Sequence, residues 1–143
     1  VRRVSLRSGR TLTFADTNNA FVVLLPEKVY KGANKHYRMF KVIGTDTYLK
    51  EISKLSNPEI EAAEKIPKQL AENPFVGQQL RYPFLREKRI KEKRVYYLIY
   101  EDLKLVLLVA VSGKKAQQAT IDHIISQFNE YRKVAEQIAK QVS

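Results

Sequence analysis

At 143 residues the chain has the length of one domain with room for a working core. Its apolar fraction of 44% and charged fraction of 29% are globular values and exclude a disordered chain. The lack of cysteine removes disulfides, thiolate nucleophiles and Cys-bound zinc; with only His36 and His123 as histidines, no metal and no cofactor are expected.

No apolar run approaches the roughly 18 residues of a membrane-spanning helix. The opening residues lack the apolar centre of a secretory signal, so a cytoplasmic protein with no membrane partner is expected. The net charge of +11 is unevenly placed. Residues 1–38 carry eight cations and two acids, residues 39–80 five and six, residues 81–115 ten and four, and residues 116–143 three and three. Cations concentrated around aromatics are the footprint of a polyanion partner, most often nucleic acid. The competing reading is a solvated, lysine-rich surface of the kind found in proteins from hot environments.

Residues 2–30 read as β structure. The stretches 3–7 and 10–14 alternate apolar with polar side chains around a Ser8-Gly9 turn. Residues 16–19 give a second turn, and the apolar run 20–25 stops at Pro26. Residues 31–35 read as a loop. Met39 marks the expected start of a core domain spanning residues 39–115, with residues 1–38 a basic, β-rich extension.

From Met39 the pattern changes. A short strand closes at Gly44, and Thr45 or Asp46 can cap a helix with Tyr48, Leu49, Ile52 and Leu55 on one face. Ser56-Asn57-Pro58 starts a second helix whose stripe is Ile60, Ala63, Ile66 and Leu70; Pro67 should kink or break it near Ile66. Asn73-Pro74 and Gly77 end this helical hairpin. Tyr82-Pro83-Phe84 then places aromatics beside Arg81 and Arg86, suited to stacking on bases or to covering the sheet, with Phe84 read as core.

Residues 94–111 hold two apolar, β-branched and aromatic runs that meet at Glu101-Asp102, which reads as a β-hairpin. Alternation puts Tyr96 and Tyr100 on one face and Tyr97 on the other. Antiparallel pairing would bring Arg94, and the six cations within residues 86–94, beside Lys114 and Lys115. Basic residues distant in sequence would then form one patch. Beyond it, Ile121, Ile124, Ile125, Phe128, Tyr131, Val134, Ile138 and Val142 predict an amphipathic helix over residues 116–143, about six turns long, packed on its own sheet or presented to a partner chain.

Gly113-Lys114-Lys115 lacks the spacing of a phosphate loop, and the carboxylates form no pair suited to metal or glycosidase chemistry. What remains is metal-free chemistry from Arg, Lys and Tyr. Such groups can cleave RNA by activating the 2′-hydroxyl, neutralising the scissile phosphate and protonating the leaving oxygen.

Residues 39–115 resemble the RelE/ParE toxin superfamily. The phrases that carry the resemblance are Phe40-Lys-Val-Ile43, Leu70-Ala-Glu-Asn-Pro-Phe-Val-Gly77, Lys88-Arg-Ile90, Arg94-Val-Tyr-Tyr97 and Val106-Leu-Leu-Val-Ala-Val-Ser-Gly-Lys-Lys115, in the family's order. The resemblance implies an α+β fold, with a small, mainly antiparallel sheet packed on a helical hairpin, and an antitoxin protein as partner. It implies mRNA and the ribosome, with its rRNA, as targets for the RelE branch, and DNA gyrase for the ParE branch.

By the same resemblance Arg94 matches the arginine that opens the central strand and contacts phosphate, and Lys115 falls where RelE-type nucleases have a catalytic arginine. Arg89 completes the catalytic set that the resemblance suggests. Arg81, Arg86, Lys88, Lys91, Lys93 and Lys114 are the RNA-binding candidates. The family's terminal tyrosine aligns near Ile121, which has no phenolic proton to give. Two main readings follow: a ribosome-dependent mRNA endoribonuclease toxin, and a RelE-like protein that binds RNA or the ribosome without cutting. A ParE-like gyrase inhibitor is a weaker third.

Overall fold

The run Leu105–Gly113 is buried at eight consecutive positions, the first seven of them apolar, the pattern of a strand covered on both faces. In the computed structural model it is the central strand β8 of an eight-stranded sheet. The structure describes residues 40–142, with side chains to residue 140, and three strands before them: β1 (Arg2–Ser5), β2 (Thr11–Thr17) and β3 (Ala20–Val23). The others are β4 (Lys41–Thr45), β5 (Gln78–Gln79), β6 (Leu85–Ile90) and β7 (Lys93–Tyr100). Their order is β1-β2-β3-β4-β8-β7-β6-β5. Only β4 and β8 run parallel; every other neighbour is antiparallel.

The expected turn at Ser8-Gly9, the stop at Pro26, the loop over residues 31–35, His36 and Met39 lie outside the described residues. Asp16 and Thr17, read as the start of a turn, instead extend β2, pairing with Phe21 and Ala20.

Between β4 and β5 come α1 (Asp46–Ser53), α2 (Asn57–Glu64) and α3 (Ile66–Glu72). The Thr45 hydroxyl accepts the Tyr48 N–H at 3.2 Å and starts α1. Ser56 and Glu59 form a reciprocal capping box on α2. Pro67 cannot donate to the helix ladder, and the chain breaks at Lys65, next to the position read from sequence. These helices cover one face of the sheet, burying Phe40, Val42, Tyr48, Ile66, Leu70, Tyr97, Val106 and Leu108.

The opposite face is also covered. Ile43, Leu85, Tyr96, Leu98, Leu105 and Leu107 pack against Ile121, Ile124, Ala135 and Ile138 from the C-terminal segment. The sheet therefore packs on the helical hairpin as expected, and the C-terminal segment takes the first of its two expected placements, on its own sheet. One expectation is corrected. The single long helix is two, α4 (Gln117–Ser126) and α5 (Phe128–Val142). At the break the Ser126 hydroxyl donates to the His123 carbonyl at 2.6 Å, and the Gln127 N–H bonds three residues back to Ile124. That local competition with the helix ladder ends α4 at Ser126, leaving Gln127 between the two helices. Among the described residues, no helix is long and apolar enough to cross a membrane.

Candidate nucleic-acid interface

The β7–β8 hairpin turns through residues 101–104, with Lys104 in the left-handed region at φ 51°. Its register carries a bulge: Tyr97 pairs with Leu108 but Tyr96 pairs with Ala110, so Val109 has no partner. The extra residue shifts the parity of β8 beyond it. Without the bulge Arg94 would stand opposite Val111; with it, Arg94 stands opposite Ser112, and Val111 joins the apolar core on the other face. The Ser112 and Tyr96 hydroxyls then meet at 2.8 Å. Burial raises the Tyr96 pKa, so its hydroxyl remains protonated.

Register also sets the acid. Arg89 pairs with Arg94 and Glu87 with Tyr96, so Glu87, Arg89, Arg94 and Tyr96 share the face covered by α4. Glu87 Oε1 lies 3.5 Å from Arg94 Nε, with the two side chains 8% and 12% exposed. The same oxygen accepts a 2.7 Å hydrogen bond from Nε2 of Gln117, the first residue of α4. These three groups line a polar cleft of about 400 Å³, with Gly77, Lys88 and Arg89 also on its wall. A carboxylate there can take a proton from a hydroxyl, and the arginine can neutralise a phosphate.

The structure separates the sequence candidates. Arg94, Arg89 and Lys88 come together around the cleft. Arg89 is exposed, with Nε donating to the Lys91 carbonyl at 3.0 Å and Nη2 3.9 Å from Glu92. Lys91 sits in the β6–β7 turn at φ 56°. Lys114 and Lys115 are exposed in the turn that delivers Gln117. Lys93 faces the other side of the sheet, where it lines a pocket of about 170 Å³ with Glu51, Lys54 and Gly113. Arg81 is 3.5 Å from Asp122 on α4. Arg86 donates to the Pro83 and Gly77 carbonyls and lies 5.2 Å above the Phe75 ring.

Glu87 and Gln117 were not among the sequence candidates. Glu87 could have been found, because it is an acid inside a basic run and alternates in step with Arg89. Gln117 carries no such signal. Phe84, read as core, is 37% exposed in a surface trio with Tyr82 and Phe128, ring centroids 5.3 Å apart. Ile121, on α4, is buried in the core cluster against the sheet. Among the described residues, no group of three or more His, Asp or Glu side chains is placed to hold a metal ion.

Residues 41–113 follow the order strand, helical hairpin and antiparallel strands that the family resemblance implied, with the two-residue β5 added before the three strands β6, β7 and β8. No family model and no curated protein matches the sequence. Among solved structures, a chain of the toxin-antitoxin complex RelBE2 from Mycobacterium tuberculosis is similar, at 22% identity and a TM-score of 0.47, over 53% of this chain and 99% of that one.

Proposed function

We infer that this chain is a RelE-type toxin that cuts mRNA on the ribosome, without a metal, and is restrained by an antitoxin protein. The observation that carries the reading is the Arg94–Glu87–Gln117 cleft, an arginine and a carboxylate set side by side at the basic end of a rigid sheet. Glu87 takes the proton of the RNA 2′-hydroxyl as that oxygen attacks the adjacent phosphorus. Arg94, with Arg89 beside it, neutralises the charge that builds on the phosphoryl oxygens. Lys115 supplies the proton to the departing 5′-oxygen, leaving a 2′,3′-cyclic phosphate on the upstream fragment. Lys88 and Lys114 hold neighbouring phosphates. The substrate places the protein in the cytoplasm.

A second reading is favoured by two specific facts. Arg94 already has an internal carboxylate partner, and Ile121, aligned with the family's terminal tyrosine, is buried in the core. In that reading the protein binds RNA or the ribosome without cutting.

The deciding experiment maps mRNA ends by primer extension in a translating extract, with Arg94→Ala and Glu87→Gln alongside. Codon-phased cuts that vanish in both variants are expected. An uncut message, with the protein still sedimenting with ribosomes, would replace the toxin reading by the second.

A further inference from the structure

Two glutamines open α4 and point in different directions. Gln118 is exposed, and its Nε2 donates to Asp122 Oδ1 at 3.0 Å, along its own helix. Gln117 is half-buried and reaches across to β6, donating from Nε2 to Glu87 Oε1 at 2.7 Å. The turn before it sets this approach, with the Gln117 N–H bonded to the Lys114 carbonyl at 3.3 Å. A neutral side chain thus makes the shorter of the two contacts on a carboxylate that is only 8% exposed. The Arg94 contact is the longer one, 3.5 Å from Nε, against about 2.7–2.9 Å for a close charge-assisted N–H···O bond.

The difference matters when a phosphate enters the cleft. Arg94 lines the cleft and meets Glu87 through Nε, so its two Nη groups are the part of the fork that can take phosphate oxygens. A guanidinium shared with a phosphate holds Glu87 less firmly, and a nearly buried carboxylate then needs another donor. Gln117 is that donor. Both contacts fall on Oε1, which leaves Oε2 to take a proton. The amide also adds no charge, whereas a lysine in its place would pair with the carboxylate and weaken it as a base. We propose that Gln117 is a positioning residue for RNA cleavage, its amide keeping Glu87 aimed at the 2′-hydroxyl while Arg94 turns to the scissile phosphate. This role rests on the mRNA-cutting reading and adds to it a residue that acts only through Glu87.

The test measures single-turnover cutting of a ribosome-bound message at rising concentrations of the full chain. Binding is measured separately on the same complex carrying a 2′-deoxy residue at the cut site. Gln117→Met removes the donor at nearly constant shape. It is expected to lower the saturating rate about tenfold or more, with binding to the deoxy complex within about twofold of wild type. Gln117→Lys is expected to bind that complex at least as tightly as wild type yet cut about tenfold or more slowly. A residue that only bound phosphate would instead cut faster with the added charge. Gln118→Met should match wild type in both measurements. Thermal unfolding checks each variant, and if Gln117→Met fails to fold, Gln117→Lys decides alone. Wild-type rates in either Gln117 variant, or binding lost in step with cutting, would overturn the role of Gln117 and leave the toxin reading standing. A wild-type chain that does not cut overturns both.

Discussion

Arg94 and Glu87 lie on adjacent strands with Nε and Oε1 3.5 Å apart, both nearly buried, and Gln117 bonded to the same carboxylate oxygen. Removing one member of such a pair leaves the other desolvated and incompletely matched. Arg94→Ala should therefore cost about 2–4 kcal/mol of stability, read from urea unfolding. The double variant Arg94→Ala/Glu87→Gln should recover part of that loss without recovering RNA cleavage. A double variant whose loss equals the summed losses of Arg94→Ala and Glu87→Gln would show that the pair is not coupled.

Lys114 and Lys115 are exposed in the turn that leads into Gln117. If each meets a phosphate, each alanine substitution should lower the slope of log K against log salt for single-stranded RNA by about 0.7. Lys93→Ala, on the far face, should leave the slope near its wild-type value. Filter binding at four salt concentrations measures this, and equal effects at all three positions would count against the proposed path.

The Tyr97 hydroxyl accepts the Gly77 N–H at 3.0 Å and donates to the Pro74 carbonyl at 2.7 Å, holding the 3₁₀ turn (Pro74–Val76) against the sheet. Tyr97→Phe strands both backbone groups and should cost about 1–3 kcal/mol in chemical denaturation. Gly77→Ala should be similarly harmful, since a Cβ there meets the Tyr97 hydroxyl and comes within 2.7 Å of the Glu87 carbonyl oxygen. A neutral Tyr97→Phe would mean that water replaces the hydroxyl.

Glu51 accepts the Val111 N–H at 3.2 Å where β8 runs past the end of β4. Burial raises its pKa above the ordinary 4.5, outweighing the Val111 bond and the Lys54 charge. The folded state thus holds this proton more tightly than the unfolded one, so the Glu51 contribution to stability falls as pH rises from about the ordinary carboxylate value. Glu51→Gln should be more stable than wild type at pH 7, with the advantage gone below pH 4. Thermal unfolding across that range tests it; a variant less stable at pH 7 would show that the ionised carboxylate is needed to hold Val111.

Much of the fold follows from local physics that the sequence by itself determined. Helix starts at Thr45 and Ser56 follow from hydroxyl capping, the break near Ile66 from a proline with no N–H, and the hairpin from two β-branched runs around a polar turn. The alternation of Tyr96 and Tyr97 onto opposite faces is equally local, because side-chain direction in a strand has a period of two.

Only the tertiary structure decided the site. Whether Arg94 stands opposite Val111 or Ser112 depends on the unpaired Val109, a long-range register choice that propensity does not encode. The Arg94–Glu87 contact joins β6 to β7, and Gln117 reaches it only because α4 packs back on the sheet. The same packing carries Phe128 of α5 to Tyr82 and Phe84, keeping those rings at the surface. Sequence sets which residues are cationic, aromatic or apolar; burial of both sheet faces decides which of them meet.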